Sequence, residues 1–221
     1  MAVKEVIYRA IHSIHPVMRF PTGPVSVTKA ARSSRDNVRF EAVALAAATI
    51  EREAIVGAFA EVGVFRGATS RFLHKCAPDR KLYLFDSFQG FPREVVGSQE
   101  LANKGDRFRF KDTSVEIVRA AVGASRNISI RSGVFPETTT GLEAETFAFV
   151  MLDLDIYAPT LAALEFFHPR LSKGAYVFVH DFNSPESDHA MQRAVSFFLA
   201  DKLERPIELP DEWGTAVYRK I

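Results

Sequence analysis

Beyond Gly57 the chain alternates between short runs that are apolar at nearly every position and longer stretches in which apolar residues recur every three or four. The runs cover 58–64, 81–85, 127–130, 147–152 and 175–179, and most of them close on Gly or Asp. Runs apolar on both sides suit strands covered on both faces, as in a parallel sheet. The intervening stretches 69–76, 113–122 and 159–171 carry helical spacing and the length of crossover connections. This βαβ alternation predicts an α/β fold with a doubly wound, mostly parallel sheet, since too few units are present for a barrel. The last fifty residues depart from it. A helix over 187–203 leads to two short strands, 206–209 and 215–220, joined by a turn at 210–214. Such a hairpin requires one strand to run against the rest.

Ahead of the sheet, Val3, Ile7, Ile11 and Ile14 form the stripe of a short amphipathic helix. Pro16, Pro21, Gly23 and Pro24 break it, and the stretch to Arg35 reads as a loop or arm. Asp36 then N-caps a helix through Ala42, Leu45, Ala46, Thr49 and Ile50 that ends near Gly57. The division expected is a helical arm or lid over residues 1–56 and a ligand-binding domain over 57–221. The first helix can dock on the core, cap a ligand or pair two subunits into a homodimer. His12 and His15 stand three apart on it, without an acidic or cysteine partner nearby.

Composition narrows the class. With 28 basic and 27 acidic residues, net charge +1, the chain gives no reason to expect nucleic acid or an anionic membrane as partner. It has no apolar run long enough for a transmembrane helix, and its start is too interrupted by charge for a signal peptide. One cysteine, Cys76, permits no internal disulfide, which fits the reducing cytoplasm.

Ligands of open α/β sheets bind beyond the carboxyl ends of the strands. At the first such end, Glu61-Val62-Gly63-Val64-Phe65-Arg66-Gly67 turns into a helix whose first turn, with Thr69 and Ser70, offers free N–H groups. A plain strand-to-helix turn explains two glycines as well. Asp86 ends the second strand, 19 residues after Gly67, where a carboxylate can take two ribose hydroxyls. Together they favour a nucleoside-type cofactor. Further along, Asp153, Asp155 and the pair His180-Asp181 follow two more strands and can converge on one site, suited to a hard divalent cation or a general base. The competing role for Asp155 and Asp181 is capping of the helices that follow them.

The segments EVGVFRGATS, LYLFDSFQGFP, SGVFPET, FVMLDLDIYAPTLAALEFFHPRLSKGAYVFVHDF and the final Ala-Val-Tyr strand resemble, in order and spacing, the macrocin O-methyltransferase family. The resemblance runs from about Phe40 to the C-terminus. It implies a class I methyltransferase fold, with a seven-stranded sheet whose last strand is antiparallel. It implies S-adenosylmethionine as cofactor, with Glu61, Gly63 and Gly67 at its methionine and ribose end, Asp86 on the ribose, and Ser87 and Gly133 near the adenosine. It further implies magnesium held by Asp153 and Asp181, with Asp155 as the base. Family members carry two adjacent acids after the fifth strand; here His180 replaces the first and becomes a candidate for ligand or base. The reaction implied is methylation of a hydroxyl on a small molecule, a sugar or glycosylated natural product. Two rivals are a nicotinamide-dependent oxidoreductase, for which a third fingerprint glycine and a Tyr-x-x-x-Lys pair are lacking, and a non-catalytic cofactor-binding domain. The segment 92–112, with Arg93, Lys104, Arg107, Arg109 and Lys111, either covers the site and reads a polar substrate or is a solvated loop.

Overall fold

The computed structural model describes residue 27, residues 36–91 and residues 110–221. The stripe from Val3 to Ile14, His12 and His15, and Arg93 to Arg109 lie outside the described residues.

Seven strands form one sheet: β1 (Ala58–Val62), β2 (Leu82–Asp86), β3 (Ile128–Ser132), β4 (Phe147–Leu152), β5 (Leu171–Val179), β6 (Ile207–Leu209) and β7 (Thr215–Arg219). Their order is β3-β2-β1-β4-β5-β7-β6. β1 to β5 pair in parallel, and β7 runs antiparallel to both β5 and β6, as the hairpin requires. The helices are α1 (Asn37–Arg52), α2 (Ala68–Cys76), α3 (Val115–Val122), α4 (Tyr157–Phe167) and α5 (Ala190–Phe198).

Strand alternation sorts the core into two layers. Ala58, Ala60, Val62, Phe85, Val150, Leu152, Val177 and Val179 face α4 and α5. Phe59, Leu82, Leu84, Phe149, Met151 and Phe178 face the opposite side with residues of α1, α2 and α3. On that side Phe59, Phe149 and Phe178 stand in a row across three strands, with ring centroids 5.2 and 5.1 Å apart. α1 contributes Val43, Ala46, Ala47 and Ile50 to the same layer, so this helix is part of the packed fold. Asp36 caps it, accepting a hydrogen bond from the Arg39 N–H.

Several boundaries differ from the sequence reading: α1 stops at Arg52 rather than near Gly57, β1 at Val62 rather than 64, and α3 begins at Val115 rather than 113. β5 begins at Leu171 rather than 175, because Ser172, Lys173 and Gly174 look like a turn but form an irregularity: Leu171 pairs with Phe147 and the next matched pair is Phe149 with Tyr176. The helix expected to reach 171 accordingly ends at Phe167, followed by a 3₁₀ turn, His168–Arg170. The helix expected over 187–203 is confined to Ala190–Phe198, since Asp188 and His189 both take left-handed backbone conformations before it.

Candidate active site

Hydrogen bonds continue one residue past the strands and hold their ends in a single row. Gly63 N–H donates to Phe85 O, Gly133 N–H to Asp86 O, Asp153 N–H to Val62 O and His180 N–H to Leu152 O, at 2.9 to 3.0 Å. Alternation then decides direction. Asp86, Asp153 and His180 continue the parity of Leu84, Met151 and Phe178, so they emerge toward the α1 side of the sheet. β1 and β4 are neighbours on which the chain order reverses, and the cleft opens above them. It has a volume of about 270 Å³, and Gly63, Asp86, Ser87, Gly133, Asp153, Asp155, His180 and Asp181 all line it.

At Gly63, just past β1, the backbone packs directly against that of Asp153, just past β4. With φ at +88°, a Cβ there would lie 1.9 Å from the carbonyl oxygen of Asp153. Gly67, φ +77°, is the left-handed N-cap that starts α2. Asp86 shapes the same turn from the next strand. Its Oδ2 accepts from the N–H groups of Val64 and Phe65, both at 2.8 Å, and its Oδ1 from that of Phe88 at 2.7 Å. Glu61, Thr69 and Ser70 are behind the cleft wall. Glu61 is 1% exposed and accepts a hydrogen bond from the Ser70 hydroxyl. Burial pushes its carboxyl up to about 8, with Asp153 and Asp86 adding to the effect of burial and Ser70 and Arg39 opposing it.

The far wall carries the acids. His180 places Nδ1 3.1 Å from both Asp153 Oδ1 and Asp181 Oδ1, while its Nε2 lies 3.8 Å from Asp36 Oδ2. Burial opposes its charge, but the carboxylates of Asp153 and Asp181 outweigh burial and Arg39 together and raise its pKa to about 9. Burial, with the charges of Asp153 and Asp155 and a hydrogen bond with Asp155, raises Asp181 well above the usual carboxylate range, His180 pulling the other way. Asp155 and Asp181 both adopt left-handed φ, +61° and +54°, conformations that cost energy in a non-glycine residue and gather at functional sites. Neither serves as a helix cap by its side chain: α4 starts from Ile156 and α5 from His189, both without a side-chain cap bond.

Donor atoms of Asp153, His180 and Asp181 lie within 4.8 Å of one another, and a second such group is Asp36, His180 and Asp211. Asp181 Oδ1 is buried and, although close to His180, accepts no well-directed hydrogen bond. Two carboxylates, one of them carrying that under-satisfied oxygen, and an imidazole that sheds its proton when a metal takes its nitrogen fit a small divalent cation. Sequence reasoning missed Arg39, Asp36 and Asp211 as members of this cluster. Arg39 and Asp36 come from a helix start whose capping pattern was plain, but nothing in the sequence shows that this start abuts β4 and β5.

The family model for macrocin O-methyltransferase (TylF) matches residues 27–220. The chain belongs to the macrocin O-methyltransferase family. Relatives in sequence include the 8-demethyl-8-(2,3-dimethoxy-alpha-L-rhamnosyl)-tetracenomycin-C 4'-O-methyltransferase of Streptomyces olivaceus, 27% identical over 61% of this chain and 56% of that protein. Another is the mycinamicin III 3''-O-methyltransferase of Micromonospora griseorubida, 25% identical over 63% of this chain and 61% of that protein. The matched part thus spans about six-tenths of the length of these relatives. Among solved structures, the O-methyltransferase NovP superposes with a TM-score of 0.70 at 24% identity, covering 83% of this chain and 80% of NovP. That likeness confirms the seven-stranded fold of the family. Among the described residues no helix is long and apolar enough to cross a membrane.

Proposed function

We propose that this chain is an S-adenosylmethionine-dependent O-methyltransferase acting on a hydroxyl of a sugar or glycosylated small molecule. The observation that carries the reading is one cleft with two unlike ends: a glycine turn organised by Asp86, and across the row of strand ends the acid cluster Asp153, Asp155, His180 and Asp181. The family to which the chain belongs, and relatives whose names specify transfer to hydroxyl oxygens, support it.

In this reading Gly63 lets the cofactor approach the β1 backbone. The oxygens of Asp86 that hold the turn retain acceptor capacity toward the ribose, since a carboxylate has about four lone-pair directions and three donors are present. Ser87 and Gly133 flank the adenosine. Glu61 and Ser70, with Gly67 and Thr69, act from behind by fixing the turn and the start of α2. Methyl transfer from a sulfonium is an in-line displacement, so the acceptor oxygen must be aligned and relieved of its proton. Asp155, 8% exposed at the cleft wall, takes that proton.

Asp153, His180 and Asp181 would hold a divalent cation, magnesium or, given the imidazole, a softer ion such as manganese. When bound, the cation lowers the pKa of the acceptor hydroxyl. The excess of acid in the cluster supports this: Asp36, Asp153, Asp155, Asp181 and Asp211 surround one imidazole and one guanidinium. A protein with one cysteine and this cofactor suits the cytoplasm, and the apolar stripe Val3, Ile7, Ile11 and Ile14 in the sequence is in keeping with pairing of two copies.

The test is transfer of a labelled methyl group from S-adenosylmethionine to a panel of deoxysugar-bearing acceptors, with and without chelator. The reading expects label in an ether linkage on the sugar and its loss on chelation. Label without chelator sensitivity would remove the cation, and no transfer to any hydroxyl across the panel would count against the reaction.

A further inference from the structure

The start of α1 closes a ring in which carboxylates alternate with nitrogen side chains on the acid wall of the cleft. Arg39, its side chain 12% exposed, sets Nε 2.8 Å from Asp36 Oδ2 and Nη1 3.5 Å from Asp153 Oδ2. His180 completes the circuit, with Nδ1 3.1 Å from Asp153 Oδ1 and Nε2 3.8 Å from Asp36 Oδ2. Two carboxylates are therefore each shared by two basic groups, one from α1 and one from the residue after β5. We propose that Arg39 is a positioning residue for the reaction, which steadies Asp153 by its outer oxygen and weakens the pull of the Asp153, His180 and Asp181 donors on a divalent cation.

The inference rests on the metal reading of those three residues. Asp153 turns Oδ1 toward His180 and Oδ2 toward Arg39, so its single negative charge is divided between the guanidinium and whatever binds at the other oxygen. A guanidinium does not give up its proton, so its charge stays in the site when a second cation arrives. The ring is partly buried, with side chains 12 to 28% exposed, and charges there are screened less by salt than charges in solvent. A carboxylate that already has a fixed positive partner binds a further cation less tightly. Held this way, the cation exchanges readily while the carboxylate keeps its aim.

The effect is opposite in sign to damage. A substitution that merely loosens the site scatters the donors and lowers metal affinity, whereas removing the Arg39 charge raises it. Manganese binding, read by electron paramagnetic resonance, is compared in wild type, Arg39→Gln, Arg39→Met and Arg39→Lys, with S-adenosylhomocysteine affinity measured calorimetrically on each. The two neutral variants are expected to bind Mn²⁺ roughly tenfold more tightly than wild type, and the lysine variant within about twofold of it. Cofactor-product affinity stays as in wild type in whichever variants fold. Equal or weaker Mn²⁺ binding in the neutral variants overturns the inference, as does a lysine variant that behaves like them, or a failure of all four proteins to bind Mn²⁺. Each of those results leaves S-adenosylhomocysteine binding intact; its loss from wild type instead strikes the methyltransferase reading and this inference with it.

Discussion

Glu61 is a carboxyl buried in the layer that packs against α1 and α2, and its surroundings make a stability prediction with a definite sign. The folded chain keeps this group protonated up to about 8, while an unfolded chain ionises it near 4.5. Between those values the folded state holds the extra proton, so the stability it contributes is complete below 4.5 and is lost as pH rises toward 8. Glu61→Gln removes that dependence. Urea denaturation from about pH 5 to about pH 8 should show the wild type losing stability relative to the variant, and parallel profiles would place the ionised carboxylate in the fold after all. Asp86 makes a different case, because its carboxylate builds the turn that it also shares with the cleft. Asp86→Ala leaves three N–H groups without their acceptor and should cost about 1–3 kcal/mol in folding stability and at least roughly tenfold in S-adenosylhomocysteine affinity. Calorimetry returning wild-type affinity would separate Asp86 from the cofactor.

At the scale of elements, the approach of β1 to β4 sets where the cleft opens. Gly63→Ala combines a left-handed backbone with a methyl group driven into the Asp153 carbonyl. It should destabilise the protein by about 3 kcal/mol or more, because the obstacle is backbone and cannot swing aside. A chemical denaturation midpoint near that of wild type would mean that the two strand ends part easily. The strands were legible in the sequence because buried parallel strands are apolar at every position, as in Phe147–Leu152. Boundaries were legible where a residue must stop or cap an element, as Asp36 does for α1. They were lost where a polar tripeptide, Ser172 to Gly174, is carried inside a strand as an irregularity, and where Asp188 and His189 adopt left-handed turns that side-chain type does not announce.

For the whole molecule, the cleft is the product of topology. Gly63, Asp86, Asp153 and His180 are spread over more than half the chain, and the sheet order together with one row of hydrogen bonds brings them level. Their candidacy was legible because Asp86, Asp153 and His180 each stand just after an apolar run and Gly63 stands at the close of one. The ring that joins Asp153 and His180 to Asp36 and Arg39 was not, since it depends on how α1 lies across β4 and β5. The same placement makes α1 both a wall of the core and a wall of the cleft, although its sequence groups it with the preceding arm. In the proposed reaction the glycine turn and Asp86 serve a methyl-donor nucleoside, and isothermal calorimetry of the full chain against S-adenosylhomocysteine, with NADH as the paired titrant, reads this out without any acceptor. Saturable binding of one S-adenosylhomocysteine per chain and no heat from NADH are expected; silence with S-adenosylhomocysteine, or saturable binding of NADH in its place, would overturn the methyltransferase assignment.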